Sequence, residues 1–234
     1  MKFQSKLLKG QFKRRYKRFF VEAQLENGLT TAHCPNTGSM KGLLEEGNIV
    51  WFSKTSNPKR KLKYTWELLL DKKSNSLVGI NTHSPNKIVY EALLKNKIEN
   101  LVGYDIIKRE VKYGNNSRID FLLEREGMKS CYLEVKNVHY TDGKGIAKFP
   151  DAVTSRGLKH LNELIEVVNR GNRAVMLYLV QREDCDKFLL AKDIDPEYCK
   201  GFNEAVINGV EILCFSCKIS VSSIFIGDKI TILL

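Results

Sequence analysis

Residues 118–138 read R-I-D-F-L-L-E-R-E-G-M-K-S-C-Y-L-E-V-K-N-V, two aliphatic runs joined by a short polar break. This pattern predicts a β-hairpin with Asp120 on its first strand and Glu134 and Lys136 on its second. Because side chains alternate between the two faces of a strand, Glu134 and Lys136 point to the same face. The hairpin therefore gathers two acids and one base on an otherwise apolar framework.

Two carboxylates and an ammonium are costly to bury unless they are paired or bind an ion. A hard divalent cation held by Asp120 and Glu134 would offset that cost, and Lys136 beside it could meet the charge of a phosphate. A salt bridge between the strands would also account for the three residues. From the residues by themselves, a metal site and a salt bridge both stay open.

Composition places the chain among globular proteins, with 43% hydrophobic and 28% charged residues in 234. The first residues are charged, without the apolar core of a signal peptide, and the longest apolar run, residues 174–180, cannot span a membrane. We therefore expect a cytoplasmic protein without membrane association. Cys214 and Cys217 form a C-x-x-C within a predicted strand, which puts them on opposite faces and favours free thiols over a zinc site.

Positive charge is concentrated at one end of the chain. Residues 1–85 hold 16 lysines and arginines against 6 acids, whereas residues 86–234 hold 22 against 21. This asymmetry predicts two domains, 1–85 and 86–234, of which the first faces a polyanion. Nucleic acid is favoured over an anionic membrane surface because no basic amphipathic helix is evident.

The first domain is predicted to be all-β, since short strand-like runs alternate with turn signals, as in a small barrel or sandwich. Two basic clusters in it are candidates for phosphate contact. Their residues are Lys13, Arg14, Arg15, Tyr16, Lys17 and Arg18 in the first, and Lys59, Arg60 and Lys61 in the second. Tyr16, Phe19 and Phe20 could stack on bases or belong to the core. Residues 33–40, H-C-P-N-T-G-S-M, are interpreted as a turn rather than a phosphate loop.

From residue 87 the pattern changes to a helix, three strands, a helix over 151–170, a strand over 174–180, a helix over 196–208 and a strand over 210–220. A final hairpin is predicted around Gly227 and Asp228, and Asp151 is expected to cap the long helix. This order is that of an α/β domain. Arg156, Lys159, His160 and Glu163 share one side of the long helix, which could face the hairpin or the solvent.

The αβββαβ order, with Asp120 on the second strand and Glu-x-Lys on the third, resembles the PD-(D/E)xK phosphodiesterase superfamily. The whole chain resembles the sugar fermentation stimulation protein A family. The stretches that carry this resemblance are R-R-Y-K-R-F, H-C-P-N-T-G-S-M, T-W-E-L, S-R-I-D-F, C-Y-L-E-V-K-N-V, F-P-D-A-V-T-S-R-G-L-K-H-L and G-V-E-I-L.

The resemblance implies an α+β two-domain protein, in which an OB-like β-barrel precedes an α/β nuclease-like domain with a mixed sheet. Members of the family are described as DNA-binding, with a suggested role in regulating sugar metabolism.

The resemblance also assigns site residues. Asp120 and Glu134 match the metal ligands for Mg²⁺ (or Mn²⁺), and Lys136 matches the catalytic lysine. The carbonyl of Val135 would be a further ligand, and Glu91 matches an acid that acts through a metal-bound water. Arg156 and Lys159 match positions that could hold the scissile phosphate. The chain departs from the motif at Ile119, which stands where the motif has proline, and Pro150-Asp151 is a decoy that follows the E-x-K.

The sequence thus leads to the hypothesis of a DNA-binding protein, largely indifferent to base sequence, with a magnesium-dependent nuclease site. The alternative is a non-catalytic DNA-binding regulator of sugar metabolism on a nuclease-like scaffold. RNA as the substrate and the oligomeric state, a homodimer included, stay open at this point.

Overall fold

Five strands of the N-terminal third close into a barrel in the computed structural model, which describes residues 1–114 and 116–233. They are β1 (Leu8–Tyr16), β2 (Phe20–Leu25), β3 (Gly28–His33), β4 (Ile49–Lys54) and β5 (Tyr64–Asp71), and β6 (Ser76–Gly79) extends β5 as a hairpin. β1 pairs with β2 and β4, β2 with β3, and β4 with β5. A parallel bridge between His33 and Thr65 joins β3 to β5, so the barrel closes with the connections of an OB fold, as predicted.

The barrel core packs three aromatic rings among aliphatic side chains. Phe12 and Trp66 stack with their ring centroids 5.4 Å apart, among buried residues that include Val21 and Phe52. β1 and β5 were not identified as strands from the sequence. In β1 only Phe12 is buried, and the basic residues around it are exposed or half-buried. Their charges hide the alternation of polar and apolar residues that identifies a strand. β5 is buried along most of its length, so its side chains do not alternate between polar and apolar.

A mixed six-stranded sheet forms the centre of the second part, in the order β15-β14-β12-β9-β8-β7. Its strands are β7 (Ile106–Tyr113), β8 (Ser117–Glu124), β9 (Cys131–Val138), β12 (Arg173–Val180), β14 (Glu211–Ser220) and β15 (Ser223–Lys229). β9, β12 and β14 run parallel, and the other pairs are antiparallel. The predicted hairpin over residues 118–138 is thus confirmed as β8 and β9.

Helices cover both faces of this sheet. α1 (Ser84–Leu94) packs on one face, and α2 (Ser155–Asn169) and α3 (Pro196–Ile207) pack on the other. Cys217 belongs to the core under α1 and Cys214 to the core under α2 and α3, so the prediction that they lie on opposite faces is confirmed. Among the described residues, no helix is long and apolar enough to cross a membrane.

Two local predictions in this part were wrong. The chain turns at residues 221–222, between β14 and β15, and not around Gly227 and Asp228. β15 continues to Lys229, and β16 (Thr231–Leu233) joins a small sheet with β10 (Tyr140–Thr141), β11 (Ile146–Phe149) and β13 (Lys187–Leu190). Gly227 is needed for a close approach rather than a turn, because a Cβ there would lie 2.5 Å from the Ser216 hydroxyl oxygen. Leu234, the end of that predicted hairpin, lies outside the described residues.

The second error concerns the start of α2. Thr154 is the N-cap, and its hydroxyl accepts a hydrogen bond from Gly157 N at 3.1 Å. Asp151 lies before the helix and instead binds the barrel, where its Oδ2 accepts from the Ser39 hydroxyl at 3.0 Å and from Met40 N at 3.2 Å. Residues 34–40, which follow β3, therefore carry a contact to the second part of the chain.

A buried arginine ties the barrel to the mixed sheet. Arg182, 1% exposed, donates to Asp71 at the end of β5 at 2.8 Å, to Asp184 at 2.6 Å and to the His139 carbonyl at 2.9 Å. Because Arg182 and Asp71 are buried and Asp184 is partly buried, loss of the cation would leave Asp71 and Asp184 as uncompensated charges.

We therefore expect Arg182→Met, which keeps most of the volume, to lower the free energy of unfolding by about 3–5 kcal/mol. The measurement is urea unfolding at pH 7, with Arg125→Ala as the control. Arg125 is half-exposed and lies 3.6 Å from Asp105, so its loss should cost under about 1 kcal/mol. Equal effects of the two substitutions would contradict the assigned role of Arg182.

Candidate active site

The site lies where β8 and β9 separate. Their main-chain pairing runs from Leu123↔Cys131 to Phe121↔Leu133. Beyond that pair the Asp120 carboxylate takes over, and its Oδ2 accepts from Val135 N at 2.7 Å. Because the N–H and C=O of a strand residue point to the same side, the Val135 carbonyl is directed towards the gap as well. The open end of the hairpin thus presents a carboxylate and a backbone oxygen.

Glu134 is the buried centre of the site, with its side chain 4% exposed. Its Oε1 accepts from Lys136 Nζ at 2.8 Å and forms a short hydrogen bond with His160 Nδ1. Its Oε2 is buried and has no hydrogen-bond partner within the described part of the protein. A buried, unpartnered carboxylate oxygen is a costly arrangement that a bound cation would relieve.

His160 reaches Glu134 from the first turns of α2, and Arg156 lies beside it on the same helix. Arg156 Nε donates to His160 Nε2 at 3.4 Å. The imidazole therefore lies between the Arg156 guanidinium on its Nε2 side and the Glu134 carboxylate and Lys136 ammonium on its Nδ1 side. The sequence had left open whether this side of α2 faces the hairpin, and for Arg156 and His160 it does.

The two carboxylates differ in acidity. Burial and the neighbouring charge of Glu134 raise the pKa of Asp120 to about 6. Burial also disfavours ionisation of Glu134, but hydrogen bonds from His160 and Lys136 outweigh it and hold the pKa of Glu134 below its ordinary value. Glu134 is therefore the permanent anion of the site, and Asp120 is the acid whose proton can be displaced near neutral pH.

Asn86 is a site residue that the sequence analysis missed. It lies in the first turn of α1, and its Nδ2 donates to Asp120 Oδ1 at 2.6 Å. With Val135 N on Oδ2, both oxygens of Asp120 are oriented by hydrogen bonds. The one signal in the sequence was the pair Pro85-Asn86 at a predicted helix start, which places an amide at the end of α1 nearest the hairpin.

Glu91 does not belong to the site, contrary to its assignment from the resemblance. Glu91 follows Asn86 by five residues on α1, which places the two side chains about 140° apart around the helix axis. Because Asn86 faces the hairpin, Glu91 is directed away from it. Its carboxylate pairs with the N-terminal ammonium of Met1 at 2.8 Å. Lys159 is also outside the cavity, since it is half-exposed and lies 3.6 Å from Glu163 on the same helix.

The side chains that do converge enclose a cavity of about 270 Å³. It brings together five residues that the sequence had selected, Asp120, Glu134, Val135, Lys136 and Arg156. The other lining residues are Thr82, Asn86, Thr154, Gly157 and His160.

The donor set fits a hard cation with an incomplete protein shell. Within residues 1–114 and 116–233, no three His, Cys, Asp or Glu side chains are grouped so as to hold a metal ion. Two carboxylates and the Val135 carbonyl are nevertheless all-oxygen donors, and Mg²⁺ commonly keeps several waters beside one or two carboxylates. The unpartnered Oε2 of Glu134 and the raised pKa of Asp120 both mark a local excess of negative charge.

The basic residues of the barrel fall into two settings. The basic residues of β1 have partners within the barrel domain. Lys13 lies 3.3 Å from Glu46, Arg14 lies 2.7 Å from Glu22, and Arg15 donates to a backbone carbonyl. The others occupy two loops. Lys17 and Arg18 form the β1–β2 turn, and Lys59, Arg60 and Lys61 lie between β4 and β5.

The aromatic residues of the first cluster divide as well. Tyr16 and Phe20 stack on each other, with centroids 5.3 Å apart, outside the buried core. Phe19, in the same turn as Lys17 and Arg18, is 50% exposed. The exposed Phe19 ring thus lies in the basic turn. The sequence alone could not show whether this ring is exposed or belongs to the core.

Comparisons with known proteins cover nearly the whole chain. The family model described as the SfsA N-terminal OB domain matches residues 14–80, and that of the sugar fermentation stimulation protein RE domain matches residues 83–223. The sugar fermentation stimulation protein homolog of Maricaulis maris is 49% identical over 97% of this chain and 96% of its own length. That of Paramagnetospirillum magneticum is 50% identical over 99% and 97%.

A solved structure shares the fold. It is the structure of Pyrococcus furiosus SfsA in complex with Ca²⁺, and it superposes with a TM-score of 0.90 at 26% identity. The match covers 100% of this chain and 98% of the other.

The raised pKa of Asp120 makes stability depend on pH. The unfolded residue loses its proton near 4 and the folded one near 6, so rising pH favours unfolding across that window. Relative to Asp120→Asn, the metal-free protein should lose up to about 3 kcal/mol of unfolding free energy between pH 4 and 7. Urea titrations of both proteins in EDTA measure the difference, and a constant difference across that range would contradict the assignment.

Proposed function

This chain belongs to the sugar fermentation stimulation protein family, and we propose that it binds DNA and hydrolyses phosphodiester bonds at the Asp120–Glu134–Lys136 site with a divalent metal ion. The observation that carries the proposal is the convergence of these three residues on one cavity, with one oxygen of Glu134 buried and unpartnered. The resemblance to the PD-(D/E)xK superfamily assigns the same three residues to hydrolysis.

Asp120, Glu134 and the carbonyl of Val135 would hold the metal. When bound, Mg²⁺ or Mn²⁺ would polarise a phosphate oxygen and lower the pKa of a water molecule. The complex of the Pyrococcus furiosus protein with Ca²⁺ supports an oxygen-lined site, because Ca²⁺ and Mg²⁺ both prefer oxygen ligands. Asn86 and Val135 N keep the two oxygens of Asp120 oriented before any ion arrives.

Lys136 is the positioning and charge-stabilising group. Its ammonium is 2.8 Å from Glu134 Oε1 and 3.2 Å from His160 Nδ1, at the wall of the cavity. From there it would orient the attacking water or stabilise the charge that develops on the phosphate oxygens. Arg156, held against His160, adds a second cation for the phosphate. No nucleophilic side chain is required in this scheme.

DNA binding is assigned to the barrel. In OB folds the loops between strands 1 and 2 and between strands 4 and 5 bind oligonucleotides. In this chain those are the loops that carry Lys17 and Arg18 and Lys59 to Lys61, with the half-exposed Phe19 beside the first pair. Phosphate contacts carry no sequence information, so the proposed binding is largely independent of base sequence.

A non-catalytic DNA-binding regulator is the second candidate. One observation favours it, since Lys136 and His160 both bind Oε1 of Glu134, so the protein itself supplies partners for that oxygen. On that view the three residues are a structural charge network. RNA remains a second possible polymer, because both the barrel and the hydrolytic chemistry tolerate ribose.

Cleavage of labelled DNA in Mg²⁺, Mn²⁺ or EDTA separates the two candidates. Asp120→Ala should abolish metal-dependent cleavage, and Lys136→Ala should reduce it by at least about 100-fold, as expected for loss of an electrostatic group. Lys136→Ala should still bind Ca²⁺, read as a rise in melting temperature, because the metal ligands remain. Lys129→Ala, in the loop at the other end of the same hairpin, is the control and should cleave normally.

Undiminished cleavage by Lys136→Ala would reject the role given to the lysine. Tight DNA binding without cleavage by the unaltered protein, in every metal, would favour the regulator.

Salt dependence tests the barrel. Removal of two phosphate contacts in Lys59→Ala/Lys61→Ala should reduce the slope of log affinity against log salt by about 0.9 per contact on duplex DNA. Both lysines are exposed, so the fold should persist, and Lys129→Ala should keep the original slope. A slope near zero for the unaltered protein would reject electrostatic binding by the barrel.

A further inference from the structure

A second and larger cavity lies beside the candidate active site. It is a groove of about 870 Å³, against about 270 Å³ for the site itself. Residues 81–87 lead into α1 and form its first turn, and they line both the groove and the active-site cavity. Thr82 and Asn86 line the site, whereas Asn81, His83 and Lys87 line the groove. A polymer held at the site could therefore extend into the groove.

The groove is suited to a polyanion. Its lining includes four basic residues, Lys2, Lys54, Arg60 and Lys87, and two histidines. Among its described lining residues Glu67 is the one acid. Arg60 belongs to the β4–β5 loop already assigned to phosphate binding, so the groove joins that loop to the active site. The position of Glu67 among these basic side chains needs an explanation of its own.

Glu67 is placed in the groove by a β-bulge. The pairing of β4 with β5 passes from Trp51↔Leu68 to Phe52↔Trp66, so Glu67 is the extra residue on β5. A bulge redirects a side chain and is common beside functional sites. Trp66 and Leu69 both belong to the barrel core although they are three residues apart, so the bulge leaves Glu67 and Leu68 together outside that core.

The carboxylate is fixed in orientation. Oε1 accepts from the Ser53 hydroxyl at 2.6 Å and Oε2 accepts from Asn81 Nδ2 at 2.8 Å, while the residue is 7% exposed. An ionised carboxylate has about four acceptor positions, so each oxygen retains one. The groove thus contains a carboxylate that is held in one orientation and keeps an acceptor position on each oxygen, on a surface that is otherwise rich in donors.

Two acceptor positions on one carboxylate match a partner with two adjacent N–H donors. Among the four bases, guanine presents them on its Watson–Crick edge, as N1–H and the 2-amino group. In a duplex that edge is occupied by cytosine, so the base must be unpaired, as in the single strands that proteins read by these edges.

We propose that the groove binds an unpaired strand segment next to the active site and that Glu67 recognises a guanine in it. This inference rests on the proposed nucleic-acid binding and adds a base preference at one position.

The test is binding of labelled 12-nucleotide strands in EDTA, where cleavage is absent. Three strands are compared. One is all-thymidine, the second has a guanosine at one central position, and the third has an inosine there, which lacks the 2-amino group. The guanosine strand should bind roughly 5- to 100-fold more tightly than the all-thymidine strand, the range for a bidentate base contact, with inosine between them. Equal affinities for the three strands would overturn the proposal, and this comparison depends on no variant.

Glu67→Gln should remove the guanosine preference, because one acceptor becomes a donor while the volume is kept. Glu26→Gln, an exposed acid in the β2–β3 turn of the same barrel, makes the same change of charge and should retain the preference. A preference that survives in a folded Glu67→Gln protein would also overturn the assignment.

Lys87→Ala tests the groove without touching the carboxylate or the packing. Lys87 is an exposed residue of α1. Loss of its charge should reduce the affinity for all three oligonucleotides by the same factor. It should also reduce the slope of log affinity against log salt by about 0.7, the value for one phosphate contact to a single strand. An unchanged slope would reject the groove as the path of the strand. Absence of binding to every strand would reject the proposed function itself, whereas binding without a guanosine preference would reject only the guanine site.

Discussion

The buried negative charge of Glu134 is the constraint on which the rest of the site depends. One of its oxygens accepts from Lys136 and is hydrogen-bonded to His160 of α2, and the other has no partner among the described residues. Because a charge so far from water must be compensated, the position of α2 relative to β9 is fixed by this contact as well as by apolar packing. Asp120 responds to the same charge, since Glu134 contributes to its raised pKa.

Residues 79–87 connect the barrel to the second part of the chain and carry side chains for both cavities. Gly79 N donates to the Gln181 carbonyl at 2.9 Å, and the Thr82 hydroxyl donates to the Pro35 carbonyl at 2.9 Å. The segment then begins α1, where Asn86 orients Asp120. With both ends anchored, Thr82 and Asn86 have little freedom to shift. The geometry of the site thus depends on the junction between the two parts as well as on the hairpin.

Contacts made by charged side chains recur at that junction. Arg182 joins Asp71 of the barrel to Asp184, and Asp151 binds Ser39 and Met40 of the turn after β3. Hydrogen bonds and the neighbouring His139 hold the pKa of Asp151 to about 2, against the effect of its burial. Such contacts are directional, so they fix the relative orientation of two apolar cores that packing alone would leave less defined.

Much of the site was predictable because it is local. Alternation along β9 places Glu134 and Lys136 on one face, and the hydrophobic pattern of residues 118–138 is enough to identify the hairpin. The spacing of short strands indicated an all-β domain, a small barrel or a sandwich, and the family resemblance implied the OB-like barrel. Such features depend on residues within a few positions of one another, which one sequence displays directly.

Tertiary structure decided the rest, because it depends on which surfaces meet. Asn86 and His160 reach the site from helices 34 and 26 residues away from their partners, and no local periodicity reports the direction in which a helix docks. The exclusion of Glu91 follows from that direction. The bulge at Glu67 exists only through the register of β4 against β5. The sequence by itself determined the charged hairpin and the class of fold, whereas packing across the sheet selected the residues that surround it.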